Sequence, residues 1–348
     1  MPSRRYLISV AWLLSIAVVA LSGLARPTPA TAATAMPSRV YSPYFETWTT
    51  DSLTTISQQS GVKHFTLAFL ETTSKTSCTL AWDGDRAQPV SGGRYLTEIA
   101  ALRAAGGDVI PSLGGWSADQ GGTEIGDSCK DVNQIFVAYR DLVLTYDVSR
   151  IDMDIEGRSL TKPDGIDRRN RAIKLLQDWA ASPAVNRPLT ISYTLPTSAS
   201  GLEASGLAVL QNAKTNGVRI DFVEPMVFDY YDRTTTDMGQ AAVDALTGLH
   251  AQLHTLLPSL SDPQLWAMEG ATIMNGIDDY PRRTEVTQLA DAQRLRDFAV
   301  ANGMSALSMW AIQRDNGGCV GNGGANNCSG IAQATWAFSD ILRTFTSP

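Results

Sequence analysis

Arg150-Ile-Asp-Met-Asp-Ile-Glu-Gly157 places carboxylates at Asp152, Asp154 and Glu156, every second position of an otherwise apolar run. In a β-strand alternate side chains point to opposite faces, so Ile151, Met153 and Ile155 pack on one side while the three acids share the other. Like charges a few Å apart in a low dielectric cannot all ionise, so at least one pKa rises and a proton is shared along the row. Such a group suits general-acid work. The same row also reads as a carboxylate cluster holding Ca²⁺ or Mg²⁺, or as a polar edge strand whose acids face water. The acid-base reading is favoured because barrel active sites lie where parallel strands end.

Outward from this stretch, apolar runs bounded by turn residues recur at about the spacing of βα units. Eight are strand candidates: residues 40–47, 64–70, 108–113, 150–155, 189–195, 222–228, 265–271 and 307–311. Helix-like periodicity fills 95–105, 134–146, 168–181, 241–257 and 289–301 between them. The alternation implies a parallel sheet, and eight such units predict an α/β protein with a (β/α)₈ TIM barrel. Glu156 then falls at the C-terminal end of the fourth strand.

The chain opens with Arg4 and Arg5, an apolar run over 6–24, and Ala30-Thr-Ala-Ala-Thr-Ala35, which offers small-residue cleavage sites. Residues 1–35 therefore read as a secretory signal peptide with a short leader, and 36–348 as one catalytic domain. A membrane anchor is the competing reading of the apolar run. No cysteine near the cut offers a lipid attachment point, so the expected product is secreted and extracellular, free of the membrane once cleaved. Cys78, Cys129, Cys319 and Cys328 suit that oxidising compartment. Three pairings are formally possible. Cys319 with Cys328 is favoured because they bracket a Gly/Asn-rich segment that a closure would order, leaving Cys78 to tie its loop to that of Cys129.

A formal charge of −7 and a pI near 5.0 argue against a nucleic-acid partner and favour a neutral or cationic one. His64, His250 and His254 lie in no metal-ligand spacing, so neither a metal nor a cofactor is expected.

These residues resemble glycoside hydrolase family 18, the chitinases and their relatives. Asp152-Met-Asp-Ile-Glu156 resembles the family's D-x-D-x-E on strand four, and Ser112-Leu-Gly-Gly115 its S-x-G-G on strand three. Met226-Val-Phe-Asp229 is similar to M-x-Y-D on strand six, and Trp310, followed by Arg314 and Asp315, to the tryptophan closing strand eight. The pieces arrive in family order across the whole mature chain. Gln264-Leu-Trp-Ala-Met268 and Asn216-Gly-Val-Arg219 further resemble secreted bacterial members.

The resemblance implies a monomeric, retaining hydrolase of β-1,4-linked N-acetylglucosamine polymers, acting on chitin or N-acetylglucosamine oligosaccharides. Glu156 would be the general acid/base, the substrate's own 2-acetamido oxygen the nucleophile, and Asp154 the group that holds the acetamido N–H. Asp152, about 6–7 Å deeper by strand rise, would exchange a proton or hydrogen bond with Asp154. Substrate-binding candidates are Trp310 as a flat floor for a pyranose, Met226, Phe228, Asp229, Tyr230, Gly114 and Gly115. Trp310 also reads as a core tryptophan, and the two glycines as a tight turn. Tyr44, Trp48, Trp82, Trp116 and Tyr231 are further stacking candidates, each readable as structural.

Two positions depart from the family pattern. Phe228 lacks the hydroxyl that a tyrosine there supplies to the acetamido carbonyl; Tyr230, on the same face if the strand continues, would restore it. Ser149 replaces the leading Asp of the longer motif. Glu46, Glu71, Glu224 and Glu269 near predicted strand ends suggest a negative cleft tolerant of partly deacetylated, cationic chitin, or solvated and paired carboxylates. An endo-β-N-acetylglucosaminidase and a non-catalytic carbohydrate-binding barrel are the alternative functions; the intact Glu156 argues against the second. No stretch is left over for a chitin-binding module, so action on soluble or amorphous chitin is expected to exceed that on crystalline material.

Overall fold

The computed structural model describes residues 36–279, 284–323 and 326–346. The expected signal segment, 1–35, lies outside the described residues. Eight strand positions form one parallel barrel. The first is split into Val40–Tyr41 and Tyr44–Glu46; then come His64–Thr72, Asp108–Gly114, Arg150–Asp154, Thr190–Ser198, Phe222–Met226, Thr272–Met274 and Ala306–Trp310.

The first strand closes the barrel. Val40 and Tyr41 pair with Ala306 and Leu307 of the eighth strand, whereas Tyr44, Phe45 and Glu46 pair with Thr66, Leu67 and Ala68 of the second. The change of partner falls at Ser42-Pro43, where Pro43 has no N–H to give a ladder. Its carbonyl still accepts from Thr66 N–H at 3.0 Å, while Ser42 N–H donates to Leu307 at 2.9 Å.

The outer helices are Leu53–Ser60, Leu96–Ala104, Val132–Tyr146, Pro163–Ala181, Ala204–Thr215, Met238–Leu256, Leu289–Asn302 and Ala337–Leu342. Start signals are local: Asp131 accepts from the N–H groups of Asn133 and Gln134, and Pro163 opens the fourth helix. Ile151, Met153 and Ile155 are buried, as the alternation requires.

The predicted strand at 265–271 is corrected. Leu265 and Trp266 end a short helix, Asp262–Trp266, and the seventh strand begins only at Thr272. Ser261 caps that helix and Pro263 sits in its first turn, signals hidden by an apolar run too short to tell helix from strand.

Disulfides join Cys78 to Cys129 and Cys319 to Cys328, the favoured pairing. Among the described residues, no helix is long and apolar enough to cross a membrane.

Candidate active site

Asp152, Asp154 and Glu156 line up at the C-terminal end of strand four, Asp152 and Asp154 buried and Glu156 half-buried. The strands beside it decide their chemistry. Asp152 Oδ2 accepts from Ser112 Oγ at 2.7 Å and Tyr44 Oη at 3.0 Å; its Oδ1 accepts from Ser192 Oγ at 2.7 Å and Thr194 Oγ1 at 2.9 Å. Burial raises the Asp152 pKa, and these four hydroxyls oppose the rise by favouring the ionised form. Asp154 has no such set. Its Oδ1 lacks a hydrogen-bond partner among the described residues, and burial, then Glu156, Asp152 and Asp119, hold its pKa well above the carboxylate range. Glu156 is pushed up to about 7, first by burial, with a Trp116 backbone hydrogen bond opposing and Asp279 adding to the rise. The row therefore keeps protons at its outer end.

Two glycines let strand three lie this close. At Gly114, with φ of 106°, a Cβ would run into the Asp154 carbonyl; at Gly115, with φ of 85°, it would lie 2.6 Å from the Phe69 ring. Both candidate positions are thus packed against this chain's own residues.

Against Tyr44, whose hydroxyl reaches Asp152, lies an aromatic cluster. Trp310, half-buried, stacks on Phe69 with centroids 5.4 Å apart and planes at 13°, and Trp48 stacks on the same ring at 6.4 Å. Trp48 and Trp116 are 38% and 58% exposed, so both offer open ring area. Tyr231 is likewise exposed. Trp82 takes its structural reading: it is fully buried and donates Nε1–H to Tyr146 Oη at 2.8 Å. Tyr44 also takes its structural reading, buried and bonded to Asp152.

Met226 and Phe228 are buried with Met238 and Met274, and Tyr230 and Trp310 pack on them. The condition that would put Phe228 and Tyr230 on one strand face is not met. Strand six ends at Met226, and Asp229 turns left-handed with φ of 51°. Asp229 N–H donates to Asp278 Oδ2 at 2.9 Å, and Glu285 accepts from the N–H groups of Tyr230 and Tyr231 at 2.8 and 3.0 Å. Asp278 and Glu285 flank the strands of the hairpin Gly276–Ile277 and Val286–Thr287. Burial and then the hydrogen bond to Asp278 push Asp229 up to about 10, so it keeps a proton.

The four glutamates weighed for a negative cleft, or as solvated and paired carboxylates, are buried or hydrogen-bonded. Glu46 is fully buried and pushed up to about 8 by burial; Glu224 lies inside the barrel at about 7 for the same reason. Glu71 accepts from Thr123 Oγ1 at 2.7 Å. Glu269 precedes strand seven, at the opposite end of the barrel, with His250 Nδ1 2.8 Å from its Oε1. Among the described residues no cluster of three or more His, Cys, Asp or Glu could hold a metal ion.

The sequence reading did not single out Ser192 and Thr194 or join Ser112 and Tyr44 to Asp152, although Ser192 and Thr194 alternate with apolar residues on strand five. It also missed Asp119, Asp278 and Glu285, which carry no periodic signal.

A family model described as glycosyl hydrolases family 18 matches residues 40–315. The chain belongs to glycosyl hydrolase family 18. This family 18 chain is 33% identical over 326 residues to a probable bifunctional chitinase/lysozyme of Escherichia coli (strain K12), covering 90% of itself and 35% of that protein. It is 34% identical over 293 residues to endochitinase 11 of Metarhizium anisopliae, covering 81% of itself and 53% of that protein. It thus spans about a third to a half of these relatives' lengths. Active domain 2 of the thermostable chitinase from Pyrococcus furiosus, solved as catalytic-site mutants with chito-oligosaccharides, superposes with a TM-score of 0.79 at 28% identity, over 90% of this chain and 96% of that one. A family 18 chitinase from Pseudoalteromonas aurantia, at 15% identity and a TM-score of 0.54, shares the fold.

Proposed function

We propose that the protein is a secreted chitinase that hydrolyses β-1,4 bonds of N-acetylglucosamine polymers with retention, by substrate assistance. The observation that carries this reading is the split within the acidic row, in which four hydroxyls favour ionised Asp152 while Asp154 is buried, flanked by acids and without a hydrogen-bond partner for Oδ1 among the described residues. With Glu156 near 7, its proton is available to the leaving glycosidic oxygen at neutral pH and below. Asp154, whose pKa burial and neighbouring acids hold high, would meet the acetamido N–H as that group's oxygen closes on the anomeric carbon. Passing its proton toward Asp152 would let it accept this hydrogen bond, and an ionised Asp152 is the receiver such a step needs. Trp310, backed by Phe69, supplies the floor for the sugar ring bearing that acetamido group.

The test is incubation of the parent protein and of Glu156→Gln with N-acetylglucosamine oligomers, following products by mass and anomeric configuration. Short β-anomeric products from the parent alone support the reading. Cleavage by Glu156→Gln at the parental rate, or α-anomeric products, would refute it.

A further inference from the structure

Strand four runs out at Asp154, and the last rung on its strand-five side is Ile155 N–H to the Thr194 carbonyl at 3.0 Å. The next amide, Glu156 N–H, points the other way, where strand three has ended at Gly114 and turned into the helix Trp116–Gly121. A backbone N–H at such a place needs another acceptor. Asp119 Oδ2 is that acceptor.

Asp119 is fully buried, and its Oδ1 lies beside the Gly114 backbone without a hydrogen-bond partner among the described residues. We propose that Asp119 is a positioning residue for the hydrolysis: by accepting the Glu156 amide it takes the place of the missing ladder partner and fixes where the Glu156 carboxyl stands beyond the strand. The inference rests on Glu156 being the acid and adds the group that aims it.

The charges around Asp119 define how it does this. Arg169, on the helix Pro163–Ala181, is forked onto Glu124 at 3.0 and 2.7 Å, both side chains buried, so its charge is already matched. Asp154 and Glu156 face Asp119 from the strand-four side. Burial, then Glu124, push the Asp119 carboxyl well above its usual range against the pull of Arg169. A neutral acid accepts an amide hydrogen bond through its carbonyl oxygen, and so does a carboxamide. Asparagine therefore replaces Asp119; alanine does not.

The experiment measures kcat, KM and thermal unfolding on a chito-oligosaccharide for the parent, Asp119→Asn, Asp119→Ala and Glu156→Gln. Asp119→Asn is expected to keep kcat within about threefold, while Asp119→Ala lowers it about 10²-fold with KM within about threefold, the signature of a displaced catalytic group. If Asp119→Ala does not fold, Asp119→Ser, polar but too short to reach the amide, replaces it with the same expectation. Parental kcat in Asp119→Ala, a loss confined to KM, or Asp119→Asn as slow as Asp119→Ala would each overturn the proposal. Glu156→Gln separates the two failures: inactive beside an active Asp119→Ala, it refutes only the role of Asp119; active as the parent, it refutes the reading of Glu156 itself.

Discussion

Asp152 and Asp154 stand two residues apart on one strand face with opposite surroundings: four hydroxyls reach Asp152, whereas Asp154 Oδ1 is buried with no hydrogen-bond partner among the described residues. Identical side chains thereby acquire different proton affinities, the condition for passing a proton from one to the other.

Removing one donor tests that difference. In Ser192→Ala the ionised form of Asp152 loses a hydrogen bond, so its pKa rises and it takes up a proton at higher pH. The acid limb of the kcat profile is expected to move to higher pH and kcat at the optimum to fall roughly tenfold, the scale of a lost charge-assisted bond. An unmoved limb would refute the account.

Glu156 sets the other limb. Because its pKa is pushed up to about 7 and the acid role proposed for it needs the protonated form, kcat/KM is expected to fall as pH rises through about 7. Glu156→Gln, unable to give a proton, is expected to lose roughly 10²–10⁴-fold in kcat at every pH. The check is a pH series on a chromogenic oligosaccharide.

Glu269 links stability to pH away from the site. Burial raises its pKa from 4.5 to about 9, while its neighbour His250, stacked on Trp266, is lowered by burial. A carboxyl raised in the folded state gives its full stabilisation below the unfolded value and loses it as pH climbs to the folded one. The parent is therefore expected to melt higher at pH 5 than at pH 8. In Glu269→Gln, which cannot ionise when unfolded, that difference is expected to shrink by at least about 2 °C in calorimetry.

Gly115→Ala adds a methyl group at positive φ against the Phe69 ring, which carries Trp310. Strain and overpacking together are expected to cost about 1–3 kcal/mol of stability and to raise KM through the displaced floor. Unfolding curves and steady-state kinetics on the same preparation check both.

Tyr230→Phe is expected to leave kcat within about twofold, since Asp229 breaks the strand alternation that would aim this hydroxyl at the site of Phe228. Stability should not fall, because the deleted hydroxyl is buried without a hydrogen-bond partner among the described residues. A tenfold loss of kcat would return the missing hydroxyl to Tyr230.

Much of this was legible in the chain. Alternation exposes a strand's two faces directly, so Asp152, Asp154 and Glu156 could be placed together from spacing alone, and seven of the eight strand candidates lie over strands. The run at 265–271 misled because four or five apolar residues suit either geometry until Ser261 and Pro263 are weighed. Tyr230 misled because period-two reasoning holds only while the strand lasts. Trp82 and Tyr44 kept both a stacking and a structural reading because composition does not say which side of a loop is covered; both are buried.

The sequence by itself determined that three acids share one face at the end of a barrel strand, because side-chain direction along an extended backbone is a local property. The tertiary structure alone decided which acid favours its proton and what holds Glu156 in place. Proton affinity depends on desolvation and on donors from other strands: Tyr44, Ser112, Ser192 and Thr194 reach Asp152 across gaps of 40 to 108 residues, and Asp119 reaches Glu156 across 37. Those contacts exist only once the barrel closes.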